Sequence, residues 1–264
     1  MNWRLLLNPL LPGVRQMAID EALFECLQPN DPPILRFYSW VVPTLSLGYF
    51  QDYKKVVVES FLLHNNIDVV RRPTGGRAVL HDQEVTYAVI SNLNGDFEDQ
   101  TLQETYQLIA SALGSGLQRF GITQSSISLE ATAARNEAGL PQCFVSVSKY
   151  EIASGTRKVI GSAQKRVRDR FLQHGSILLD FDAQLQGGSI RNPDPEIETK
   201  IAPLNRLLGR KLPFEEVAAR FGEAFEQQFG MQLQHSELTQ EEQQTVEILE
   251  RKYRSSEWTQ QRCK

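Results

Sequence analysis

The chain is poor in most features that give a function away at first sight. Its 264 residues hold three cysteines, Cys26, Cys143 and Cys263. Their odd number and wide spacing exclude a disulfide framework and a CxxC metal clasp. No G-x-x-x-x-G-K-[ST] stretch occurs, and no histidine–cysteine cluster has metal-ligand spacing. Positive charge is not in excess. Against 32 Asp and Glu stand 28 Lys and Arg, a net charge of −4, which argues against a generic nucleic-acid binder. No apolar run approaches the ~20 residues that cross a bilayer. The start has a short apolar run, without the long apolar region and small-residue cleavage site of a signal peptide, so a cytoplasmic location is expected. No internal repeat is evident. What remains is 41% hydrophobic, enough for the core of one large domain or one domain with a small appendage.

Periodicity sets out the elements. Residues 14–27 read as an amphipathic helix, with Met17, Ala18, Leu23 and Phe24 among its apolar positions and Cys26 inside that pattern. Residues 34–40 and 45–49 read as strands around Pro43. Residues 53–64 are expected to be one helix, since Val57, Val58, Phe61 and Leu62 fall at helical spacing. Strands follow at 67–71, 77–81 and 85–91. Residues 101–120 read as a helix ended by Gly121, although Gly114 and Gly116 weaken its last turns. Strands are expected at 144–147, 150–154, 158–167 and 171–179, with Gly155-Thr156 as a hairpin turn. Residues 186–195 have the composition of a connecting loop. Two helices close the chain, at 214–229 and 240–254, the second with a capping box from Thr239 and Glu242. Strands and helices without strict βα alternation indicate an α+β fold, with mixed and antiparallel sheets flanked by helices.

Chemistry concentrates in Arg71-Arg72-Pro73-Thr74-Gly75-Gly76-Arg77-Ala78-Val79-Leu80-His81-Asp82. A glycine pair between strands lets backbone approach a ligand closely. The arginines beside it offer forked donors for phosphate or carboxylate. A hairpin turn with solvated charges fits the same residues. By composition alone Cys143 is a small buried hydrophobe, and Lys158 an exposed strand lysine. A lone histidine such as His81 or His174 is more often a structural hydrogen-bonder than a catalyst. Further on, Arg166, Arg168 and Arg170 would share one face of a strand. With Lys165 they form a solvated face or a docking site for an acidic partner.

The glycine segment, Arg157-Lys158-Val159-Ile160-Gly161-Ser162-Ala163-Gln164 and Leu172-Gln173-His174-Gly175-Ser176-Ile177-Leu178-Leu179 together resemble the biotin/lipoate A/B protein ligase family. The likeness is good over residues 1–182 and weak beyond. It implies that family's catalytic-domain fold and attachment of a medium-chain acyl group or lipoate to one lysine of a carrier protein. Two chemistries are known on such a scaffold. A ligase makes an acyl-adenylate with ATP. A transferase takes the acyl group from acyl carrier protein through a cysteine thioester.

Cys143, in Pro141-Gln142-Cys143-Phe144, resembles the nucleophile of the cysteine-dependent octanoyltransferase subgroup. Lys158 holds the lysine position of the family's K-[VI]-x-G-S-A motif. The resemblance implies a cation there that holds the acyl carbonyl and neutralises developing charge. Arg77 stands where the adenylating ligases tend to carry a third glycine, and agrees with Cys143. The implied substrate-binding set is Arg72, Thr74, Gly75, Gly76, Arg77, His81, Gly161, Ser162, Ala163, His174 and Gly175. Arg71 and Arg72 are expected to orient the loop or meet a pantetheine phosphate. No metal is implied, and no cofactor except ATP and Mg in the ligase alternative. Acyl carrier protein is the expected donor. A lipoyl domain or glycine cleavage H protein is the expected acceptor, with no nucleic acid and no membrane. Octanoyl transfer leads. An ATP-dependent lipoate–protein ligase and an octanoyl amidotransferase between lipoyl domains are the alternatives. Residues 1–200 are expected to form the catalytic domain, and 201–264 a helical extension packed on it.

Overall fold

A computed structural model of the chain describes residues 2–122, 127–128 and 152–262. The first half runs β1 (Trp3–Leu11), α1 (Gly13–Cys26), β2 (Ile34–Trp40), β3 (Thr44–Leu47), α2 (Tyr53–Val56), α3 (Glu59–His64), β4 (Asp68–Arg71), β5 (Val79–His81), β6 (Glu84–Asn92) and α4 (Leu102–Gln118). The sheet then continues with β7 (Ile127–Ser128), β8 (Ile152–Ser154), β9 (Arg157–Val167) and β10 (Arg170–Leu178). After it come α5 (Ala183–Ser189), α6 (Ile197–Lys200), α7 (Leu204–Leu208), α8 (Phe214–Phe229), β11 (Leu233–His235), α9 (Gln240–Arg254) and α10 (Ser256–Thr259).

Among the described residues the main sheet has eight strands in the order β11-β1-β2-β6-β10-β9-β8-β7. β1 is parallel to both its neighbours, and the other pairs are antiparallel. A second sheet, β4-β3-β5, pairs β3 with β4 in parallel and with β5 antiparallel. The fold is therefore α+β with mixed sheets. Alternation along the strands sends side chains to two cores. Tyr87, Val89 and Phe171 pack with Leu113 of α4 and Phe221 and Phe225 of α8. Ala88, Ile90 and Leu172 pack with Met17 and Leu23 of α1 and Val246 and Tyr253 of α9. The small sheet has its own core, with Tyr53, Val57 and Leu62 against Leu45, Leu47 and Leu80.

Several expectations need correction. Residues 53–64 are two short helices. Val57 leaves the helix to bridge Ile190, and the Val58 amide donates to the Ser189 carbonyl at 3.1 Å. Stiff β-branched side chains take such an extended exit easily. Residues 186–189, expected in a loop, belong to α5, capped by Asp182. Gly188 there makes room rather than a turn, since a Cβ would overlap the Phe61 ring. Gly116 of α4 serves the same purpose against Phe221 of α8. Arg168, with φ 54°, sits in the turn between β9 and β10. Arg166, Arg168 and Arg170 consequently do not share one strand face. The expected strand at 144–147 and the first residues of that at 150–154 lie outside the described residues.

The last third of the chain is woven into this framework. β11 pairs with the start of β1, Trp3 opposite Leu233. α8 covers one face of the main sheet and α9 lies along α1 on the other. The capping box of Thr239 and Glu242 is formed, and Glu242 also receives Arg4 at 2.6 Å. Cys26 is half-buried at the end of α1 and donates to Thr245 at 3.3 Å. Among the described residues no helix is long and apolar enough to cross a membrane.

Candidate active site

A mostly apolar cavity lies where the small sheet meets the main one. Its floor is the middle of two adjacent strands. Gly161, Ser162 and Ala163 of β9 lie opposite Ser176, Gly175 and His174 of β10. Ser46, Val79 and His81 of the small sheet form the opposite wall, with Arg72 beside them. Met17, Tyr38 and Trp40 complete the lining. Gly175 has to be glycine. A Cβ there would overlap the Gly161 carbonyl and press within 2.7 Å of the Tyr87 ring.

Polar groups in the wall are tied to one another in two chains, which leaves mostly apolar surface toward the cavity. In the first, Arg72 donates to Ser46 Oγ at 3.0 Å. Ser46 Oγ also shares a hydrogen bond with His81 Nε2 at 2.8 Å, and on its other side His81 Nδ1 pairs with the Glu84 carboxylate at 2.8 Å. Trp40 stacks on His81, with ring centres 4.1 Å apart, and donates to Thr86 at 2.8 Å. In the second chain, the Thr74 hydroxyl donates to His174 Nε2 at 2.7 Å. His174 Nδ1–H donates to Asp20 at 3.0 Å. Asp20 also takes Arg36 at 2.5 Å and the Tyr38 hydroxyl at 2.8 Å.

Burial and partners set the charges of the second chain. Burial pushes the His174 imidazole below its usual value of 6.5, more than the bond to Asp20 raises it. Burial also pushes the Asp20 carboxyl up, yet Arg36, His174 and Tyr38 outweigh this and leave it below its ordinary value. Both shifts act in the same sense. Below 6.5 the unfolded chain protonates its histidine more readily than the folded one, so this stability is lost as pH falls. Asp20→Asn strips the fully buried Arg36 of its carboxylate. It is expected to cost about 3 kcal/mol in urea denaturation near neutral pH. A loss below about 1 kcal/mol, the size of one ordinary hydrogen bond, would refute the pairing.

Residues 12–226 match the family model of the lipoyl protein ligase A/B catalytic domain. The chain is 37% identical over 269 residues to Octanoyltransferase LipM of Kyrpidia tusciae, covering 97% of this chain and 98% of that protein. To Octanoyltransferase LipM of Clostridioides difficile it is 34% identical over 270 residues, covering 99% of each. The chain belongs to the lipoyl protein ligase A/B family. A solved lipoate-protein ligase A bound with ATP has the same fold, with a TM-score of 0.84 at 24% identity over 98% of this chain and 99% of that one.

On this lipoyl protein ligase scaffold the expected residues separate into groups. Arg72, His81, Gly161, Ser162, Ala163, His174 and Gly175 line the cavity, and Thr74 reaches it through His174. Arg72 binds the glycine loop from within, donating to the carbonyls of Gly75 at 2.8 Å and Arg77 at 2.7 Å. Arg71 is also buried, and its guanidinium meets backbone carbonyls. Both arginines thus orient the loop. Arg71 donates to main-chain carbonyls, and Arg72 to main-chain carbonyls and the Ser46 hydroxyl. Gly76 has φ 92° and Arg77 is half-buried. Gly75 lines a second, outer groove together with Pro73, Lys165, Lys252 and Trp258.

Lys158 is fully buried on β9, three positions before Gly161, which excludes the exposed strand lysine. Its carbonyl accepts from the Ala202 amide at 2.9 Å. Cys143 lies outside the described residues. Asp20, Met17, Trp40 and Glu84 were not expected as site residues from the sequence. Asp20 left one usable signal, because it is a charged residue three positions after Met17 on the inward side of an apolar helix.

Proposed function

We propose that this chain is an octanoyltransferase, moving an octanoyl group from acyl carrier protein to a lysine of a lipoyl domain or glycine cleavage H protein. The observation that carries this is kinship over nearly the whole chain, at 34–37% identity, with proteins named octanoyltransferase. A mostly apolar cavity whose polar wall atoms are occupied by one another suits a short, uncharged acyl chain.

The chemistry runs in two displacements. The Cys143 thiolate attacks the carbonyl carbon of the donor thioester. The donor's C–S bond breaks, its sulfur takes a proton, and octanoyl is left on Cys143. The acceptor's amine then attacks that carbonyl, an amide forms, the Cys143 thiol leaves and the amine gives up its proton. Lys158 holds the acyl carbonyl and neutralises the charge that develops on its oxygen in both steps. The donor thioester supplies the activation, so ATP has no part in the cycle. A cytoplasmic setting belongs to the same proposal.

Incubation of the protein with octanoyl-acyl carrier protein in the absence of ATP should give an octanoyl adduct on Cys143, located by peptide mass spectrometry. Later addition of a lipoyl domain should discharge it. An acceptor modified only when ATP and free octanoate are supplied, with no adduct, would replace the transferase by a ligase. Discharge from an octanoylated lipoyl domain, but not from acyl carrier protein, would identify an amidotransferase instead.

A further inference from the structure

The glycine loop is fastened to the far end of the chain. Arg71, immediately before the loop, is fully buried, and among the described residues no carboxylate lies within ion-pair distance of it. Its guanidinium is satisfied by backbone carbonyls from two remote places. Nε donates to Trp258 and Thr259 at 3.1 Å each, and one terminal nitrogen to Thr259 at 2.8 Å. The other terminal nitrogen donates to Gly48, Tyr49 and Gln51 at 3.0, 3.0 and 2.8 Å. In return the Trp258 indole N–H donates to the Arg71 carbonyl at 2.8 Å.

The turn gripped by Arg71 is the one that carries the loop. The Tyr49 amide donates to the Thr74 carbonyl at 2.9 Å. Gly48 packs so tightly that a Cβ would overlap the Gly76 carbonyl. Thr74 in turn holds His174 in the cavity wall. A continuous set of bonds therefore runs from α10, through Arg71 and the turn at residues 48–51, to the acyl cavity. It also joins the two sides of the outer groove, because Pro73 and Gly75 form one side and Leu249, Lys252 and Trp258 the other.

We propose that Trp258 and Arg71 form a clamp by which the C-terminal helix sets the position of the glycine loop, making Trp258 a positioning residue for acyl transfer. The kinetic part of this rests on the octanoyl-transfer function above; the coupling of helix to loop does not. A guanidinium saturated by main-chain oxygens transmits position well, since each carbonyl belongs to a backbone segment rather than to a mobile side chain. Arg71→Lys keeps the charge but offers three donors on one atom, too few and too close together for both segments. Trp258→Phe keeps a ring against Tyr49 and Tyr253 and loses only the N–H bond and part of the ring.

The test is amide hydrogen exchange on the full-length Trp258→Phe and Arg71→Lys proteins, read over residues 72–78, beside steady-state transfer from octanoyl and decanoyl donors. Protection of the loop should fall about tenfold, the size of one lost hydrogen bond. The core strands should keep theirs, and the preference between the two donors should narrow. Unchanged protection of residues 72–78 in both variants overturns the clamp. An equal loss of protection across the whole chain also overturns it, since that is the mark of a purely structural contact. Exchange does not depend on turnover, so an inactive wild type would count against the function and not against the clamp.

Discussion

Lys158→Ala is expected to abolish octanoyl transfer, by on the order of 10³-fold, as for loss of a group aimed at a developing oxyanion. The side chain is fully buried, and a lysine is rarely so placed unless its charge is used or paired. Alanine leaves a hole as well as removing the ammonium, so activity alone would not separate the two effects. Lys158→Met separates them. It restores most of the volume with an unbranched apolar chain and lacks only the charged end. The melting temperature of the methionine variant, set beside that of the alanine variant, shows how much of any lost activity is lost fold. Turnover of the methionine variant should remain as low as that of the alanine variant. Near-normal turnover in either variant would remove Lys158 from the mechanism. Low turnover in alanine with recovery in methionine would make it a packing residue.

How much of this was legible in the sequence depends on whether the deciding force was local. α8 and α9 lie where the apolar period places them, and α9 begins at its capping box, since one apolar face and, for α9, a local cap suffice to define such a helix. β2 is equally plain. The break between α2 and α3 is different, because it is imposed by Ile190, far along the chain. Gly187 and Gly188 read as loop residues, yet the space Gly188 leaves is filled by Phe61. β11 has only three residues, and its partner is β1. No local pattern carries such a pairing.

The site divides along the same line. The glycine segment and the two strand motifs are contiguous in sequence and were readable as motifs. The hydrogen bonds that hold them are not contiguous. Asp20 meets His174 across 154 positions, and Trp258 meets Arg71 across 187. Of the two roles expected of Arg71 and Arg72, orienting the loop has visible partners, carbonyls that only the folded chain brings near. The division is informative about function. The motifs supply most of the cavity lining, whereas some of the partners that fix its geometry, Asp20 and Trp258, come from near the two ends of the sequence.

Cys143→Ala should end both adduct formation and transfer, with a fall of at least about 10³-fold, as is typical when a covalent nucleophile is removed. Intact-protein mass spectrometry after exposure to octanoyl-acyl carrier protein reads the first, and modification of the lipoyl domain the second. Wild-type transfer by the alanine variant would rule out the thioester route and leave direct attack by the acceptor amine. Cys143→Ser gives a finer distinction. A hydroxyl is a far weaker nucleophile than a thiolate at neutral pH, so any octanoyl ester should form slowly and discharge more slowly still. The reactive form is the thiolate, with an ordinary pKa of about 8.5 that a nearby cation lowers. If Lys158 is that cation, the pH midpoint for alkylation of Cys143 by iodoacetamide should lie below the ordinary value in the wild type and rise toward it in Lys158→Met. An unchanged midpoint would confine Lys158 to the acyl carbonyl and assign activation of the thiol to another group.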